Sequence, residues 1–87
     1  MNATSLTTIE GKMLNLTCNV ETSDVISNYT WYFNNQQLTI SSQQMLQLHN
    51  VNRTDSGNYS CKVTTKTNLQ NTGQRITITV LCKYLLQ

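Results

Sequence analysis

Proline is absent and glycine occurs only three times in the 87 residues, so no segment between residues 4 and 81 has the composition of a linker. Charge is scarce as well. Six cations and four acids leave a formal net charge of +2, and the cations are scattered rather than gathered into a stripe that could neutralise phosphates, so nucleic acid is not an expected partner. No run is long and apolar enough for a transmembrane helix, and the polar start "MNATSLTTIEGK" lacks the apolar middle of a signal peptide. No direct membrane insertion is expected of the chain, and a secreted origin would make it a piece of something longer.

What is present is a thin spread of apolar residues, 38%, among Thr, Asn, Gln and Ser, which suits short strands and solvated turns better than packed helices. The apolar period is two almost throughout. "MLNLTCNV" places Leu14, Leu16, Cys18 and Val20 on one face and Asn15, Thr17 and Asn19 on the other. "NYTWYFN" sends Tyr29, Trp31 and Phe33 one way, and Thr30 and Tyr32 the other. Leu46 and Leu48 alternate with Gln47 and His49, and Val51 is expected to close the core where that strand ends. "NYSCKVT" buries Tyr59, Cys61 and Val63. In "RITITVL" the inward set is Ile76, Ile78 and Val80, with Thr77 and Thr79 outward. Five alternating strands joined by polar turns such as "NNQQ" and "SSQQ" predict an all-β domain over residues 1–81. The closing segment 82–87 reads as a boundary toward a missing neighbouring domain or stalk. Burial alone leaves a domain of this size marginal, so a second source of stability is needed.

Cys18 and Cys61 both fall on inward faces of strands far apart in sequence, with the sole tryptophan, Trp31, inward on a strand between them. Were two sheets to face each other about 10 Å apart, a bridge across the gap with an indole packed on it would fill the centre of a small sandwich. Two buried free thiols are the alternative. The pattern Cys18, Trp31, Asp55, Gly57, Tyr59, Cys61 resembles the immunoglobulin superfamily signature, and the likeness covers nearly the whole chain. That resemblance implies an immunoglobulin-like β-sandwich of two antiparallel sheets with a Cys18–Cys61 disulfide. Leu16, Trp31, Leu48 and Tyr59 are then core residues, and the Tyr59 hydroxyl turns back onto backbone at a corner between the sheets. In many relatives the acid at the position of Asp55 pairs with a base on a fourth strand. The candidate for that strand, "ISSQQ", has neither Lys nor Arg, so hydrogen bonds to turn amides are expected instead. This departure and the short gap between Trp31 and Leu46 point to a C2- or I-set domain rather than a variable one.

Asn-X-Ser/Thr sequons occur at Asn2, Asn15, Asn28, Asn52 and Asn58, every one on an expected loop or outward strand position, where a solvated sugar requires it. With the implied disulfide they indicate an extracellular, cell-surface origin. Chemistry is not indicated. His49, Ser56 and Asp55 could be drawn as a catalytic set, but nothing positions an oxyanion hole. The acids Glu10, Glu21, Asp24 and Asp55 are too dispersed for a calcium cage, and one histidine with one spare thiol does not make a zinc site. No cofactor is implied.

Binding by surface remains. The resemblance implies a face carrying Thr30, Tyr32 and Asn34 on one strand and Lys62 and Thr64 on another, with Tyr32 as the amphipathic anchor. The partner would be a protein ligand or counter-receptor, a second copy of the chain among the candidates. "WYFNNQQL" and "LQLHNVNRTDSGNYSC" are similar to segments of carcinoembryonic-antigen-type and sialic-acid-binding receptors. However, the Cys61 strand carries Lys62 and no arginine, so a two-pronged grip on a carboxylate is not expected. The expected role is a recognition or spacer module of an adhesion or immune receptor. The alternatives are an intracellular domain of the muscle-filament type and a soluble or viral decoy of a receptor. Cys82, left without a partner by the pattern, could bridge to a neighbouring domain or chain or stay a free thiol.

Overall fold

The computed structural model describes residues 3–82. Asn2 and most of the boundary segment 82–87 lie outside these. Eight strands follow in order: β1 (Ala3–Ile9), β2 (Leu14–Thr17), β3 (Ile26–Phe33), β4 (Gln36–Ser41), β5 (Met45–Leu48), β6 (Gly57–Thr65), β7 (Gln70–Thr72) and β8 (Arg75–Leu81). A one-turn 3-10 helix, Arg53–Asp55, precedes β6.

The strands form two sheets. The larger runs β1-β8-β6-β3-β4, with β7 also pairing β6, and the smaller is β2-β5. β1 lies parallel to β8, and the remaining pairs are antiparallel. All five predicted alternating segments contain strands, although β2 ends at Thr17, before Cys18 and Val20. The core is the inward set of both sheets: Leu16, Cys18, Trp31, Val51, Tyr59, Cys61, Val63, Ile76, Ile78 and Val80 are buried. Leu14, Val20, Tyr29, Phe33, Leu46 and Leu48 pack against them, half-buried.

Cys18 and Cys61 are bridged, with their Cα atoms 5.9 Å apart at a sequence separation of 43. Closing a loop of that length contributes about 4 kcal/mol on the chain-entropy account. Trp31 is the register partner of Cys61 on the neighbouring strand, so its indole stands beside the bridge. The indole fills the centre at a cost, because its buried Nε1–H has no hydrogen-bond acceptor among the described residues.

Three strands were not expected. β1 has only Leu6 and Ile9 as large apolar residues in a run of Thr and Ser, and it forms by pairing with β8 rather than by a strong pattern of its own. β4 carries exposed Leu38 and Ile40, so its apolar residues do not mark a core face. β7 continues the line of β8 beyond an interruption. Three steps along β6 from Tyr59 to Lys62 are matched by four from Ile76 to Thr72, a one-residue bulge around Gly73.

The candidate fourth strand at "ISSQQ" does not exist. Ile40 and Ser41 end β4 on the larger sheet, and residues 42–44 cross directly to β5 on the smaller one. There the Cys18 amide donates to the Gln44 carbonyl at 2.9 Å, and Gln44 Nε2 donates to the Cys18 carbonyl at 3.0 Å. Only β4 separates β3 from β5, in keeping with a domain not of the variable type.

Candidate protein-binding face

The segment Asn52–Cys61 shows how local chemistry sets the frame of the larger sheet. Asp55 Oδ2 accepts from the Asn52 amide at 2.8 Å, closing the 3-10 turn. A local hydrogen bond thus occupies the acid for which no basic partner was available. Tyr59 donates its hydroxyl to the Asp55 carbonyl at 2.8 Å, and the Val80 amide donates to Ser56 Oγ at 2.9 Å, which ties the corner to β8. Burial, and secondarily the Asp55 carboxylate, push the Tyr59 pKa up to about 12. Gly57 has φ +155°, and a Cβ there would sit 2.7 Å from Phe33 Cε1 and 2.8 Å from Asn34 Oδ1. Ser56 is therefore a structural acceptor at this corner. Sequence reasoning had considered it only as a nucleophile, and no motif marks its actual role.

The face opposite the core is defined by register. Thr30 pairs with Lys62 and with Ile40, Tyr32 with Ser60 and with Gln37, and Lys62 with Thr72. These residues alternate with buried Trp31, Cys61 and Val63, so their side chains lie on the outer side. Tyr32 and Lys62 are both half-buried there, and Lys62 Nζ stands 5.7 Å above the Tyr32 ring centroid, a cation–π pair of about 0.5–1 kcal/mol. Tyr32, Asn35, Ser60, Lys62 and Thr72 line a shallow open depression. Exposed Ile40, the register partner of Thr30, continues it toward the sheet edge, and exposed Leu38 sits at the β4 bulge between the register partners Thr39 and Gln37.

Two of the expected contact residues stand elsewhere. Thr30 is buried, 8% exposed, because it sits mid-sheet with the longer Ile40 and Lys62 directly beside it, and their side chains shade its short one. Asn34 is not on the strand. It forms the two-residue β3–β4 hairpin with Asn35, at φ +50° and +69°, where Asn tolerates the left-handed region. Its amide donates to the Asn58 carbonyl at 2.8 Å, and its Oδ1 accepts from the Asn58 amide at 3.0 Å. Thr64 and Lys62 are half-buried on the outer side as expected. Asn35, Ser60, Thr72, Leu38 and Ile40 were missed; the Asn-Asn turn alone could have revealed the hairpin that brings β4 alongside.

Among the sequons, Asn15, Asn52 and Asn58 are exposed and Asn28 is half-buried on β3, where a register shift lies between Ile26 and Asn28. Asn58 Oδ1 accepts from Thr77 Oγ1 at 2.9 Å, which leaves its Nδ2, the atom a glycan uses, outside that bond. Cys82 is half-buried and makes no disulfide with the described residues.

Two facing β-sheets held by a buried disulfide, an indole beside the bridge and a tyrosine hydroxyl folded onto the corner define an immunoglobulin-type sandwich. A family model described as "Immunoglobulin domain" matches residues 1–65, and the chain belongs to that family. Mouse B-cell receptor CD22 is 36% identical over 52 residues, which is 60% of this chain and only 6% of that protein. A structure of Sidekick-1 immunoglobulin domains 1–5 superposes with a TM-score of 0.77 at 26% identity, covering 90% of this chain and 16% of that one. A VGSC beta-subunit structure has a TM-score of 0.73 at 19% identity, covers 91% of this chain and 92% of that one, and shows the shared fold.

Proposed function

We propose that the chain is an extracellular recognition module of a cell-surface receptor or adhesion protein, and that it binds a protein partner through the outer face of its larger sheet. The observation that carries this reading is the Tyr32–Lys62 pair on one outer face with exposed Ile40, and exposed Leu38 at the neighbouring β4 bulge. A large amphipathic ring ringed by smaller polar groups and flanked by apolar surface is the composition of an interface centre. Likeness to CD22 and to Sidekick-1 supports the receptor context. The disulfide supports an oxidising compartment over a reduced intracellular one.

A spacer role is the second reading, favoured by one observation: Asn28 and Asn58 both lie on this face, toward opposite ends of it, so sugars on both would flank Tyr32. The test is a binding or proximity-labelling screen of the secreted chain on intact cells, repeated with Tyr32→Ala. Loss of a hot-spot aromatic lowers affinity by about tenfold or more. An unchanged partner set and affinity would remove this face from the account.

A further inference from the structure

The smaller sheet also has an outer side, and it presents an unusual grouping. β2 and β5 pair Asn15 with Gln47 and Thr17 with Met45, while Leu16 between them is buried at 1% exposure. Asn15 and Thr17, the acceptor and hydroxyl positions of one sequon, therefore point outward together. Asn15 is exposed, and its side chain makes no hydrogen bond with other described residues. Met13, two residues before Asn15, is 55% exposed, and Met45, diagonal to it across the pair, is 46% exposed. By the diagonal spacing of an antiparallel pair the Met45 Cα lies roughly 7–8 Å from that of Asn15, and Met13 stands just before β2 begins. Two of the chain's three methionines thus border one acceptor asparagine on a sheet only two strands wide.

Resting on the extracellular reading above, we propose that Asn15 carries an N-linked glycan whose first sugars lie over Met13 and Met45. Attachment joins Nδ2 of Asn15 to the anomeric carbon of the reducing-end N-acetylglucosamine of a polyprenyl-diphosphate-linked oligosaccharide. The carbon–oxygen bond to the diphosphate breaks, the diphosphate leaves with the electron pair, and Nδ2 gives up one proton. The C–H faces of the sugars then cover apolar surface that the protein leaves open, and flexible thioether side chains adapt to them. The occupant of this face is therefore part of the same molecule.

The test uses the chain secreted from animal cells, with glycopeptide mass spectrometry at each sequon and the rate of sulfoxide formation at Met13 and Met45 in dilute peroxide. Asn15 is expected to be occupied, and oxidation of both methionines to be slower by about threefold or more than in Asn15→Gln. Thr17→Val, which keeps the asparagine but removes the sequon, should lose the same protection. Occupied Asn15 with equal oxidation rates would overturn the packing, and glycans on Asn28, Asn52 or Asn58 with Asn15 bare would overturn the site. Bare asparagines together with reduced Cys18 and Cys61 would overturn the extracellular reading and the proposal with it.

Discussion

Gly73 offers the sharpest test of how the core is held. It is buried, and a Cβ built on it would lie 2.4 Å from Cys61 Sγ, 3.1 Å from Val20 Cγ2 and 3.3 Å from the Asn19 carbonyl oxygen. The sulfur cannot swing aside, because it is bonded to Cys18 across the two sheets. The backbone cannot readily retreat either, since the Gly73 amide donates to the Cys61 carbonyl at 2.8 Å. Overpacking costs about 1–3 kcal/mol where neighbours can relax, and losing that hydrogen bond adds about 1 kcal/mol. Gly73→Ala should therefore cost about 3 kcal/mol, which at roughly 4–8 °C per kcal/mol lowers Tm by about 12–24 °C. Urea and thermal unfolding followed by circular dichroism measure this, with a thiol count to show that the bridge has formed. The same substitution in a Cys18→Ala, Cys61→Ala background, studied cold and with stabilising osmolyte, should cost under about 1 kcal/mol, because the obstructing sulfur is gone. A cost below about 0.5 kcal/mol with the bridge intact, or equal costs in both backgrounds, would refute the reasoning.

Tyr59→Phe removes the hydroxyl that donates to the Asp55 carbonyl and should destabilise by about 1–2 kcal/mol in equilibrium unfolding at pH 7. Because the folded pKa of Tyr59 is raised to about 12 from 10.0, the stability it contributes is whole below pH 10 and is lost as pH rises from there through about 12. The hydroxyl is only partly buried, so solvent screening reduces the loss to the order of 1–2 kcal/mol. Urea midpoints across that window should fall in the wild type and stay flatter in Tyr59→Phe, whereas parallel curves would remove the corner as their origin. Leu38→Thr with Ile40→Thr should leave stability within about 0.5 kcal/mol, since both side chains are exposed. It should also weaken partner binding; unchanged binding would restrict the interface to Tyr32 and Lys62.

The centre of the fold was legible because its residues obey two rules at once. Leu16, Trp31, Cys61, Val63 and Ile78 keep strict alternation, and the Cys, Trp and Tyr spacing has one well-known arrangement that satisfies it. The periphery obeys neither. β1 and β7 are Thr- and Gln-bearing segments that become strands through the backbone donors of β8 and β6, and no side-chain period announces such pairing. Gly73 gave no signal as a core residue, because what it contributes is the absence of a side chain beside the bridge. Thr65 was missed for a related reason. It is 1% exposed at the inward end of β6, and its Oγ1 accepts from the Leu69 amide at 3.1 Å, so a polar residue completes an apolar row by satisfying its hydrogen bond locally.

The same contrast separates framework from candidate interface. Tyr32 was identifiable as an outward aromatic, but its surroundings depend on β4, and β4 escapes pattern reading because Leu38 and Ile40 face solvent. A strand selected only to close the core would show polar residues at those positions, and an edge strand guarded against association would carry charge or proline. β4, "QQLTIS", has neither, and it forms the free edge of the larger sheet while the next strand in sequence belongs to the other one. Stability therefore does not account for these apolar side chains: the core is complete without them, and exposure makes them a liability unless something covers them. A covering partner resolves that conflict, and this is the physical reason to place the binding surface across β4, β3 and β6 rather than on the sheet bearing Asn15.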